Sequence, residues 1–117
     1  MMDEPKQTPN QMYQEAEQLK AAGKLNEAVQ IYQKILQTDP NYVLAHHALA
    51  VAYCTLGDYD AAIQHALRAC ELEPNDPFAY MSLSVTYRKA FQGTQDYRYI
   101  QLAEDAMARS HQLHAGH

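Results

Sequence analysis

The sequence predicts an all-α chain built as an array of three helix–turn–helix units, six helices in all. Three observations carry this expectation. Residues recur at an offset of 34: Gly23 with Gly57, Ala28 with Ala62, Pro40 with Pro74 and Asn41 with Asn75. Apolar residues fall at helical spacing, as in Leu49, Ala50, Tyr53 and Leu56, then in Ala62, Ile63, Ala66, Ala69 and Cys70. Glycine and proline stand where such helices would have to stop.

The elements follow in order. Residues 1–8 are expected to be a flexible segment. Thr8-Pro9-Asn10-Gln11 then has the form of a capping box with proline just inside the first helix. Gly57 closes the first helix of the second unit, because a left-handed residue is needed there. Asp58 or Asp60 can cap the helix that follows by accepting from its free amides. Pro74 halts that helix, and Asp76-Pro77 opens the next with a cap and a first-turn proline. The units span about 9–42, 43–76 and 77–113, in a single domain of 9–114 with a tail at 115–117.

The third unit departs from the pattern. The alanine corresponding to Ala62 arrives at Ala103, which is 41 residues later and so implies an insertion of seven. Seven residues make close to two helical turns, so the faces keep their phase. Gly93-Thr94 is expected to supply the turn and cap, with Asp96 as a second cap, giving helices at about 77–91 and 95–113, the second one lengthened. The slots held by Val29 and Ile63, and by Leu36 and Cys70, carry Glu104 and His111 in this unit. A terminal repeat needs such polar replacements, because nothing follows to cover it.

Composition narrows the classes of function. The 117 residues include 47% apolar and 20% charged side chains, as in an ordinary globular chain. A net charge of −5, with Arg88-Lys89 as the longest basic run, argues against nucleic-acid binding. No apolar run is long enough to span a bilayer, and "MMDEPKQTPN" lacks the features of a secretory signal. The expected location is the cytoplasm. Cys54 and Cys70, with no C-x-x-C spacing, are expected as free thiols in a reducing compartment.

"LAVAYCTLGDYDAAIQHALRACELEPN", residues 49–75, matches the Leu-small, Tyr, Gly-Asp-Tyr, Ala, Ala and Pro-Asn slots of a known motif. The chain thus resembles the tetratricopeptide repeat (TPR) family over nearly its whole length. The large aromatic slot of the first helix differs, holding Met12, His46 and Tyr80. The resemblance implies a right-handed superhelix of stacked units with a concave face lined by the first helix of each unit. Carried over slot by slot, that face takes Tyr13, Glu17 and Lys20, then Leu44, His47, Val51 and Cys54, then Phe78, Met81, Val85, Arg88 and Lys89. One group of these domains grips the terminal carboxylate of heat-shock chaperones. The matching positions are Tyr13, Glu17, Ala48, Phe78 and Ser82, none suited to holding a carboxylate, and Glu17 would repel one.

The implied groove has an apolar middle, which suits an amphipathic helix or an extended apolar segment of another protein. The expected function is a non-enzymatic protein-interaction module, an adaptor or chaperone-like protein. The alternative is a scaffold unit that self-assembles by end-to-end stacking or through its last helix. There Tyr99, Leu102, Ala106 and Leu113 form a second apolar stripe beside Ile100, Ala103 and Met107. No cofactor or metal is expected. His111, His114 and His117 are spaced by three, but a third ligand would require a helix continuing through Ala115-Gly116, and a polar tail is the simpler reading. No Gly-rich phosphate loop and no nucleophile elbow is present, and Cys54 and His47 lack a third group to orient them.

Overall fold

A computed structural model of the chain describes residues 7–116. Among these residues all regular structure is helical: α1 (Pro9–Ala21), α2 (Leu25–Thr38), α3 (Val43–Leu56), α4 (Tyr59–Leu72), α5 (Pro77–Thr94) and α6 (Arg98–Ala115). The pairs α1/α2, α3/α4 and α5/α6 are the three helix–turn–helix units. The chain divides after Ala45 into two compact units. The expected flexible start lies mostly outside the described residues, as does His117.

Local chemistry explains most helix ends. The Thr8 hydroxyl accepts from the Gln11 amide at 3.2 Å while the Gln11 side chain accepts from the Thr8 amide at 2.9 Å, completing the capping box. Gly57 has φ +81°, the left-handed value the turn requires. Asp58 accepts from Ala61 at 3.2 Å, and Asp76 accepts from Phe78 at 2.9 Å with Pro77 at the first helical position.

The third unit differs from its expected layout. α5 runs through Gly93 and Thr94, and the left-handed residue that ends it is Gln95, at φ 61°. Gly93 is therefore helix interior rather than a terminator. A Cβ there would stand 2.2–2.4 Å from the Tyr59 ring, so the missing side chain is what lets Tyr59 lie on α5. The insertion is shared. α6 is lengthened to 18 residues as expected, but so is α5, against 14 in α3 and α4. α6 also continues through Ala115 before Gly116 caps it. Asp96 accepts from the Arg98 amide at 3.0 Å, a capping contact in the first turn of α6.

In the first unit Ala16, Ala28, Tyr32 and Ile35 are fully buried. Alanines at the α1/α2 contact bring the backbones close, and Tyr32 and Ile35 fill the remaining space. Tyr13 packs on Tyr32 and on Tyr42, with ring centroids 5.8 and 6.0 Å apart. In the second unit Ala50, Ala66, Cys70, Ala79, Leu83, Tyr87, Ala103 and Ala106 make one core, with Ile63, Tyr80 and Tyr99 against it. Burying a side chain the size of Leu83 contributes roughly 1.5–3 kcal/mol. Two buried hydroxyls tie α6 to α5: Ser84 donates to the Ala103 carbonyl at 2.7 Å and Ser110 to that of Pro77 at 2.8 Å.

Candidate functional site

The predicted groove residues come from both units. In the first, Tyr13 and Glu17 are half-buried while Lys20 and Leu44 are exposed. Glu17 accepts from the Tyr32 phenol and pairs with Lys20 at 3.1 Å. Burial opposes its ionisation, but hydrogen bonds from Tyr32, Lys20 and Tyr13 outweigh that and hold its pKa below the ordinary value. Burial and the same carboxylate raise the Tyr32 phenol far above its usual range. Glu17 is thus a fixed negative charge at neutral pH.

In the second unit the first helices present apolar side chains to solvent: Val51 is 51% exposed, Phe78 53% and Met81 41%. His47 meets Phe78 edge-on, with centroids 5.4 Å apart. Its Nδ1 is buried without a hydrogen-bond partner among the described residues. Burial lowers the His47 pKa, and Glu73 and Asp76 only partly offset this. Val85 is half-buried beside this surface in sequence.

Cys54 is 8% exposed, so its thiol is not part of an open surface, and burial raises its pKa while Lys89 lowers it. Arg88 and Lys89 serve different clefts. Lys89 lines one of about 380 Å³ with Cys54 and Tyr59; Arg88 lines one of about 410 Å³ between α5 and α6. They part because adjacent helical residues point about 100° apart.

The stripe on α6 is also divided. Ala106 is buried in the core, and Tyr99 stacks on Tyr87 at 6.0 Å. Leu102 stays exposed at 41%, and Leu113 is half-buried. The core that holds Leu83 and Tyr87 of α5 takes Tyr99 and Ala106 inward. Both cysteines are free thiols, and Cys70 donates weakly to the Ala79 carbonyl at 3.4 Å. His111 and His114 line a cleft of about 340 Å³ with Met81 and Met107. Among the described residues no three His, Cys, Asp or Glu side chains come together as a metal site.

Two features escape sequence reasoning. His46 and His65 meet across α3 and α4, Nδ1 to Nδ1 at 3.0 Å, with Tyr53 stacked on His65 at 5.8 Å. One imidazole must donate and the other accept. Nothing in the spacing marks His65 as the partner of His46. The other feature is the α5/α6 cleft, whose residues become legible only when offsets of 34 and 41 are applied together.

The sequence model of the tetratricopeptide repeat family matches residues 19–83. The chain belongs to the tetratricopeptide repeat family. No curated protein sequence matches it. Among solved structures, MamA is similar with a TM-score of 0.78 and 16% identity, over 93% of this chain and 60% of that one. The second TPR domain of Spaghetti (RPAP3), solved with the HSP90 peptide SRMEEVD, is similar with a TM-score of 0.74 and 18% identity, over 92% and 93%. A MamA RS-1 ArsTM double mutant gives 0.61 and 18%, over 92% and 76%. This chain therefore spans less than two thirds of the first MamA structure, and identities this low establish a shared fold. That fold is consistent with a protein–protein interaction module. No helix among the described residues is long and apolar enough to cross a membrane.

Proposed function

We propose that this chain is a non-enzymatic interaction module, an adaptor or chaperone-like protein, that binds an amphipathic helix or apolar segment of another protein on the first helices of its second and third repeats. The observation that carries this reading is the exposure of Val51, Phe78 and Met81, large apolar side chains on the helices that line the groove in this family. Apolar surface of this kind, rimmed by polar groups, favours a partner that removes it from water. Likeness to a TPR domain solved with a bound peptide supports a peptide-like ligand. Two buried free thiols fit a reducing, cytoplasmic setting. Self-assembly through the last helix has weaker support, because of its stripe only Leu102 is well exposed.

The test is quantitative capture from native lysate, followed by titration of the partner against wild type, Val51→Glu and Met81→Glu. Both positions are exposed, so the variants should fold. Each is expected to weaken binding at least tenfold. Unchanged affinity in both would remove this surface as the binding site.

A further inference from the structure

We infer that the cleft between α5 and α6 is a second docking site, a vacant inter-repeat socket that takes an amphipathic helix from another protein in the way α3 and α4 take α5. The site shares Met107 with the cleft of Phe78 and Met81, while Val51 lines neither cleft.

The inference rests on continuity with an interface already present in the chain. The α5 side of the cleft includes Ser84 and Arg88, whose counterparts 34 residues earlier are Ala50 and Cys54. The α6 side includes Ile100, Glu104 and Met107, whose counterparts 41 residues earlier are Tyr59, Ile63 and Ala66. These counterparts are what α5 packs on. Ala50, Ala66 and Ile63 share a core with Ala79, Leu83 and Tyr87 of α5. Tyr59 lies against Gly93, and Cys54 lines a cleft with Lys89. The same slots one repeat later enclose about 410 Å³ of open space, with Ile100 left 38% exposed. Glu104 was expected to cap this end as a polar replacement, yet it occupies only part of the cleft wall. Met107 takes the slot of Ala66, while Arg88, Gln92 and Glu104 give the open socket a more polar rim than the filled one.

The chemistry of the occupant follows from the template. α5 presents Ala79, Leu83 and Tyr87 at i, i+4 and i+8, a small-to-large apolar stripe on one helical face. Arg88 and Glu104 add opposite charges to the rim, and neither forms an ion pair among the described residues. The occupant is therefore a helix with that stripe, an acidic residue at the slot of Lys89 to face Arg88, and a basic one to face Glu104. A second copy stacked head to tail does not supply it. The slots of Ala79 and Leu83 fall in α1 on Gln11 and Glu15, both exposed and polar.

The probe is a synthetic peptide of residues 77–94 carrying Lys89→Glu, compared with the unsubstituted peptide, titrated against the full chain by fluorescence anisotropy. The Lys89→Glu peptide should bind at least fivefold more tightly. Ile100→Glu in the protein should weaken binding at least tenfold, and the exposed position keeps the fold intact. Arg88→Glu should invert the preference between the two peptides, an outcome that loss of folding cannot mimic. Val51→Glu should leave this binding unchanged even if it abolishes partner capture, which separates the two sites. The inference is overturned if neither peptide binds, if Ile100→Glu and Arg88→Glu have no effect, or if Val51→Glu abolishes peptide binding. It is equally overturned by a concentration-dependent dimer in sedimentation that Ile100→Glu dissolves, since the occupant would then be a second copy.

Discussion

Replacing Gly93 by alanine isolates the contact that distinguishes the third unit. In an exposed helix interior the change stabilises by about 0.8–1.0 kcal/mol, through the lower conformational cost of alanine. Here the new Cβ would lie 2.2–2.4 Å from Oη, Cζ and Cε2 of Tyr59, so the ring must leave. Tyr59 is half-buried. Exposing roughly half of such a ring forfeits about 1–1.5 kcal/mol, taking full burial of a large side chain as about 1.5–3. The two effects nearly cancel in the native background, leaving a net change of about 0–0.5 kcal/mol destabilising. With Tyr59→Ala already made, only the gain remains. A double-mutant cycle by urea denaturation should therefore show a coupling of about 1–1.5 kcal/mol between Gly93→Ala and Tyr59→Ala. Equal stabilisation by Gly93→Ala in both backgrounds would refute the packing argument and return Gly93 to a simple helix weakness.

Two further outcomes follow from the buried polar groups. Burial depresses the pKa of His65 and of His47 below the ordinary 6.5, so the unfolded chain takes up protons first as the pH falls. Stability should be full above pH 6.5 and decline as the pH drops through the lowered folded values, by at most about 1.4 kcal/mol per pH unit for each histidine. His65→Gln should flatten that decline in denaturation midpoints between pH 7.5 and 5.5, and an unchanged slope would absolve the pair of His46 and His65. Tyr32→Phe keeps the buried ring but removes the hydroxyl that Glu17 accepts from. The expected cost is about 1–2 kcal/mol, with the Glu17 carboxyl, followed by NMR, titrating closer to its ordinary value. No movement in either quantity would show that Lys20 and Tyr13 suffice.

The legible parts of the fold were those whose cause is local. Thr8, Asp58 and Asp76 cap because a short oxygen-bearing side chain reaches amides two or three residues on, and Gly57 turns left-handed because it has no Cβ. The family resemblance, too, sat in one contiguous stretch. The third unit misled at Gly93, since the same absent Cβ that permits a turn also permits a ring to lie on a helix. Periodicity cannot distinguish these uses. The apolar stripe on α6 was visible as a pattern, but a pattern does not say which of its members the neighbouring helices will cover, and Tyr99 and Ala106 turned inward.

By itself, then, the sequence determined the helices, their pairing into three repeats and the family, because helix period, caps and a 34-residue offset are properties of neighbours along the chain. Only the tertiary structure decided that Glu17 is held ionised by Tyr32, that His46 meets His65 and that a socket stands open between α5 and α6. Each of these depends on which side chains distant in sequence share a low-dielectric space. That sharing is set by how helices pack, and no spacing along a single helix encodes it.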